Sequence, residues 1–210
     1  MDIKLLNKAF MLSVITIFYN LVEGGISTFY GSKDETLALF GFGVDSFVEV
    51  LSGIGIAHMI WRMAKYDISK RDSFERTALK ITGSAFYVLA TGLVIGVVIN
   101  LYVGARPVTT QVGIVLSILS IATMYFLYKS KLKVGKKLNS APIISDANCT
   151  KTCFYLSFIL LGSSLIYQLF SIPYIDEVGS LGIAWYAFKE GKEAFDKANN
   201  DSLNCDDNCC

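Results

Sequence analysis

The chain has 210 residues, of which 53% are hydrophobic and only 18% charged, and its formal net charge is +1. A soluble domain runs about 45–50% apolar and about 25% charged, so this composition fits a polytopic membrane protein instead. It excludes a disordered chain, which is poor in hydrophobes, and it argues against nucleic-acid binding, for which no excess of positive charge exists.

A helix crosses the hydrocarbon with roughly 20 apolar residues, and three prolines in the whole chain leave long helices uninterrupted. Six segments qualify: Phe10–Tyr30, Thr36–Met63, Thr77–Val103, Thr110–Tyr128, Pro142–Phe170 and Pro173–Phe188. The first is read as a span and not a signal peptide, because Glu23 and Gly24-Gly25 follow its apolar run where a cleavage site needs small residues. In the second, Gly41, Gly43, Ser52, Gly53 and Gly55, and in the third Gly92 and Gly96, are small residues that let helix backbones approach. The fifth is polar from Ser145 to Thr152 and apolar from Phe154 onward. The sixth is short and opens on Asp176 and Glu177, so it is the weakest by hydropathy.

The basic residues sort by connection. Lys4 and Lys8 precede the first segment; Arg62, Lys65, Lys70, Arg71, Arg76 and Lys80 surround the second connection. Lys129, Lys131, Lys133, Lys136 and Lys137 fill the fourth, and Lys189, Lys192 and Lys197 follow the sixth segment. Lys33 and Arg106 are alone on the opposite side, and Lys151 lies inside the fifth segment. This bias predicts both termini in the cytoplasm and an even number of spans. The expected organisation is a six-helix transmembrane domain over residues 1–195, with cytoplasmic connections of about 10–15 residues, followed by a disordered, Cys-containing cytoplasmic tail over 196–210.

Ionisable groups at bilayer depth cost roughly 2.5–3.5 kcal/mol each on insertion scales and therefore point to function. Asp45 and Glu49 stand four residues apart, hence on one helix face. Two carboxylates so placed repel unless a proton or cation lies between them, or unless a buried lysine pairs with them, for which Lys151 is the candidate. Cys149 and Cys153 repeat the spacing in the fifth segment. If the two faces meet, two carboxylates and two thiols make a tetrahedral set for a divalent metal, with thiolates favouring zinc, cadmium or another thiophilic ion. A disulfide within such a helical pair is disfavoured by geometry.

Further polar residues are accessory candidates. Asn20 and Glu23 lie one turn apart and either approach the same cavity or bond a neighbouring helix. His58 is an interfacial histidine or an entry ligand, and Asp146 a helix cap or vestibule charge. Asp176 and Glu177 are an exit funnel or interfacial charges. Cys205, Cys209 and Cys210 in the tail are suited to capturing soft metals.

These motifs resemble the transmembrane domain of the cation diffusion facilitators over about residues 8–195. Thr36-Leu-Ala-Leu-Phe-Gly-Phe-Gly-Val-Asp-Ser-Phe-Val-Glu-Val-Leu-Ser52 is similar to the family's second helix with its carboxylate-x-x-x-carboxylate pair. Ser145-Asp-Ala-Asn-Cys-Thr-Lys-Thr-Cys153 resembles the fifth-helix signature Ala-Asp-Ala-x-His-x-x-x-Asp, and the stretch from Tyr174 to Gly191 resembles the sixth. The resemblance implies an all-α, six-helix cation-efflux domain that exports divalent metal from the cytoplasm in exchange for protons as a homodimer, in the plasma (inner) membrane. It implies metal ligands at Asp45, Glu49, Cys149 and Cys153, and no resident cofactor. Glu49 stands where the family usually has Asp, and the two cysteines where it has His or Asp and then Asp, which shifts the expected metal toward thiophilic ions. The family's common cytoplasmic ferredoxin-like domain is expected to be absent. Two other readings of the same residues are a membrane thiol oxidoreductase using Cys149 and Cys153, and a non-transporting metal sensor or scaffold.

Overall fold

The computed structural model describes residues 3–33, 36–65, 71–104, 110–138, 141–172 and 174–199. The described residues form six α-helices and no strands: α1 (Ile3–Lys33), α2 (Leu37–Lys65), α3 (Arg71–Val103), α4 (Gln111–Leu138), α5 (Ala141–Phe170) and α6 (Ile175–Asn199). Each corresponds to one apolar segment, and most run well beyond it. Hydropathy detects the part of a helix that sits in hydrocarbon, whereas backbone hydrogen bonding continues until a residue interrupts it. α3 is followed by Gly104 at φ 75°, whose N–H bonds the Asn100 carbonyl at 2.8 Å, the left-handed closure that glycine adopts without strain. α5 ends against Ser171, also left-handed at φ 48°, with its N–H on the Tyr167 carbonyl.

The longer helices shorten the connections expected from sequence. α4 ends at Leu138 and α5 begins at Ala141, so Lys129, Lys131, Lys133, Lys136 and Lys137 belong to α4 and not to a loop. α2 and α3 are likewise separated by five residues, 66–70.

Five helices contain stretches long and apolar enough to cross a membrane: Lys4–Lys33, Leu37–His58, Gly83–Val103, Gln111–Leu138 and Asp146–Phe170. α6 falls short because charges stand at both of its ends, yet Val178, Leu181, Trp185 and Phe188 form an exposed apolar stripe along it. The polarity of the bundle is inverted relative to a soluble protein. On α1, Phe10, Val14, Phe18, Leu21 and Phe29 face outward, while Ser13, Thr16, Asn20, Glu23 and Ser27 are buried. That arrangement is stable where the surroundings are lipid and the polar groups find partners inside.

α1 packs most extensively on α2, α4 on α5, and α3 on α6; α2 also touches α3, α5 and α6. Small residues allow the close pairs. A Cβ on Gly43 of α2 would lie 2.6 Å from the Thr28 backbone nitrogen of α1, and Gly83 and Gly191 face each other across α3 and α6. Tyr87 stacks on Phe195 beside that second contact, rings 5.4 Å apart. Because α2 sits between α1, α5 and α6, its polar face points at all three.

Candidate metal site

Asp45, Ser46 and Glu49 share the buried face of α2, as helical spacing requires. Asp45 is 1% exposed, and its Oδ1 has no hydrogen-bond partner. Across the α2–α5 contact, the buried Cys153 thiol stands beside the Asp45 carboxylate. Three more carboxylates, Glu49, Glu190 and Glu23, act on Asp45 electrostatically. An acidic group held in that field, dry and with one oxygen unmatched, is satisfied by a proton or a cation.

Glu49 is gripped from a different side. The Asn20 amide of α1 donates to its Oε2 at 2.5 Å. Glu23 completes the polar centre: Tyr19 donates to its Oε1 at 2.9 Å, Ser46 lies 3.2 Å from its Oε2, and Ser120 of α4 bonds it as well. Ser120 is linked to Ser157 of α5 at 3.0 Å. Of the sequence alternatives for Asn20 and Glu23, the bond to a neighbouring helix is the one seen: each pairs with a side chain of α2.

Cys149 and Cys153 are thiols on α5 that are not in a disulfide, the first half-buried and the second buried. In this conformation the four expected ligands do not close on one point: among the described residues, no three His, Cys, Asp or Glu side chains stand in metal-holding geometry. The shared part of the set is Asp45 with Cys153, with Glu49 turned toward Asn20.

A six-helix membrane bundle with acidic and thiol groups at its centre is matched by one family description, cation efflux transmembrane domain, over residues 12–198. The chain belongs to the cation efflux family. A search of curated proteins finds none that matches the chain. Cation efflux proteins are transporters and not enzymes, so this chain is a multi-pass integral membrane protein of a cation-transporting family, and the match covers nearly all six helices.

Within the cation efflux domain, several polar residues take places other than those expected. Lys131, counted with the loop charges, is 2% exposed and forms an ion pair with Asp146, 5% exposed, at 3.0 Å. The helical period explains it: Leu127, Lys131, Val134 and Gly135 share the face that α4 buries, whereas Lys129 and Lys133 are exposed. Asp146 is therefore one half of an interhelical ion pair. Lys151, the lysine considered for pairing with the α2 carboxylates, instead sits near the Tyr155 ring, 5.8 Å from its centroid.

Asp176 accepts hydrogen bonds from the backbone N–H groups of Leu37 at 2.7 Å and Ala38 at 3.4 Å, so α6 caps the N-terminus of α2. Asp176, expected as an exit-funnel or interfacial charge, thus serves as a helix cap, and Glu177 beside it is buried too. His58 is exposed toward the C-terminal end of α2, with its ring 6.1 Å from that of Trp61. Glu190 was missed because the apolar run of the sixth segment stops at Phe188; it receives a hydrogen bond from Thr152 at 2.9 Å, one residue before Cys153. Cys205, Cys209 and Cys210 lie outside the described residues.

Proposed function

We propose that this protein exports a divalent, thiophilic metal ion from the cytoplasm in exchange for protons, with zinc the first candidate and cadmium or another soft ion next. Family membership supports cation transport, and the residues supply the rest of the reading. The observation that carries it is the Asp45–Cys153 pair: a buried acid with an unmatched oxygen on α2, beside a buried thiol of α5. Carboxylate and thiolate together suit a borderline-soft divalent ion better than magnesium, calcium or manganese.

In this mechanism the metal reaches the midpoint of the bundle from the end where the chain's termini and most lysines and arginines cluster, taken as the cytoplasmic end. Binding expels the Cys153 proton, because a thiol coordinates as thiolate. Glu49 swings from the Asn20 amide toward Asp45 to become a third ligand, and Cys149, one turn along α5, supplies the fourth. Rocking of the helices then exposes the site to the far side, where protons return to the ligands and release the ion. The chain works as a homodimer in the plasma (inner) membrane, with no resident cofactor.

Cadmium binding to the purified protein in detergent tests the site. With Cys205, Cys209 and Cys210 replaced by serine, a cadmium–thiolate charge-transfer band that titrates to one ion per chain, and that is lost when Cys149 and Cys153 are also replaced and weakened in Cys153→Ser, is the expected result. Full binding with no thiolate band would overturn the ligand assignment.

A further inference from the structure

α4 carries five lysines and no acidic residue, so its charge is of one sign throughout. Lys131 turns inward to Asp146. The other four, Lys129, Lys133, Lys136 and Lys137, are exposed and make no ion pair among the described residues. At 3.6 residues per turn they fall within about 100° of arc, on one face of the helix. Toward the start of α4 that face continues through Phe126 and Tyr125, then through Leu119, Ile118 and Val115, all exposed. It therefore changes along its length from aliphatic to aromatic to cationic. In a bilayer the first part meets lipid chains, the rings stand at the boundary and the lysines reach the headgroups. Lys129 marks the crossing, with its ammonium 4.3 Å from the centre of the Tyr125 ring and donating to the Tyr125 hydroxyl. Helical side chains lean toward the N-terminus. On α4 that direction is toward the hydrocarbon, so the lysines bend back to the membrane surface. α6 offers the contrast: Lys189 and Lys192 are exposed there too, but Glu190, Glu193 and Asp196 stand among them, and Lys189 lies 3.9 Å from Glu193.

We propose that this outer face of α4 binds an anionic phospholipid of the surrounding bilayer, with the acyl chains along residues 115–126 and the phosphate among Lys129, Lys133, Lys136 and Lys137. The helix end by itself accounts for only part of the cluster. Lys136 and Lys137 stand in the last turn, where unpaired carbonyls attract cations. Lys129 and Lys133 stand before that turn, beyond the reach of the helix end, and a phosphodiester supplies the charge they lack. The aliphatic part of the face fixes the source of that phosphate. A free phosphate or an acidic peptide would engage the lysines alone, whereas a bilayer lipid engages the whole face. A lipid so bound anchors α4 at headgroup level, and with it α5, which packs on the opposite face of α4 where Gly135 meets Ile144. The proposal stands whether or not Asp45 and Cys153 bind metal.

Lipid retention tests it. The full chain is captured in a neutral detergent containing equal amounts of phosphatidylglycerol and phosphatidylcholine with the same acyl chains, washed, and its retained lipid counted by mass spectrometry. Phosphatidylglycerol is expected in excess, each lysine contributing up to about fivefold to the ratio. Replacing all four lysines by glutamine returns the ratio to that of the starting mixture, and replacing all four by arginine preserves the excess. Lys189→Gln with Lys192→Gln removes charge elsewhere and leaves the excess intact. All these side chains are exposed, so the variants fold as the parent does. The unaltered protein gives a reading that needs no variant: washing at high salt removes the excess. An equal ratio in the parent, an excess that survives the fourfold glutamine variant or high salt, or its loss in the α6 variant each overturns the proposal. Displacement of the lipid by equimolar glycerol phosphate or polyglutamate overturns it as well, because the aliphatic face would then contribute nothing.

Discussion

Substitution of Gly43 by alanine probes how closely α1 and α2 are held together beside the candidate site. The added Cβ would stand 2.6 Å from the Thr28 nitrogen and 2.8 Å from the Ser27 Cβ, where ordinary contact needs about 3.5 Å. The nearest obstacle is backbone, which cannot rotate away, so the helices must part by nearly ~1 Å. Alanine gains about 1 kcal/mol over glycine in helix propensity, and overpacking costs about 1–3 kcal/mol. The same displacement stretches the Ser46–Glu23 contact from 3.2 Å beyond hydrogen-bonding range, which costs about 1 kcal/mol more. The net loss of about 1–3 kcal/mol lowers the unfolding midpoint by roughly 2–12 °C for a chain of this size. Thermal unfolding in detergent measures it, with Gly25→Ala as the matched control, since a Cβ there meets nothing within 4 Å. Equal midpoints for the two variants, with transport unchanged, would refute the close packing of α1 on α2.

Asp176→Ala strips the cap from α2 and costs about 1–2 kcal/mol of stability, while cadmium affinity stays parental; an affinity loss at unchanged stability would return Asp176 to the transport path. Lys131→Met alone leaves Asp146 as an unpaired buried charge and costs about 3–5 kcal/mol, seen as loss of monodisperse protein on size exclusion; normal yield and midpoint would contradict the ion pair. Cys153→Asp replaces the soft ligand by a hard one, so competition assays should show zinc retained and cadmium preference lost. Because bound ligands are deprotonated, metal affinity falls as pH is lowered through the range where they take up protons; binding isotherms independent of pH would exclude metal–proton exchange at this site.

Five helices were legible because each carries an apolar stretch about 20 residues long, the length that crosses a membrane; α6 is shorter in its apolar part and was legible from the charges that bracket it. Asp45, Glu49, Cys153, Asn20 and Glu23 were legible for the converse reason, as polar groups at apolar depth. What hydropathy could not reveal was where helices continue beyond the hydrocarbon. Lys131 has four lysine neighbours in sequence, and only the helical phase of α4, with Leu127 and Val134 on the same buried face, separates it from them. Asp176 looked like a mouth charge because its partner, the N-terminus of α2, lies 139 residues away in sequence. Glu190 stands two residues past the end of the sixth apolar segment, at Phe188, and gains meaning only from α5 packing beside it. The expected convergence of four ligands depends on rotamers of Glu49 and Cys149, which spacing along a helix does not determine.

Flux carries the central claim. Purified protein in proteoliposomes with an imposed pH gradient should move cadmium and zinc, and Asp45→Asn and Cys153→Ala should each abolish that movement while Gly25→Ala leaves it intact. Undiminished flux in the Asp45 and Cys153 variants would contradict a transport site between α2 and α5.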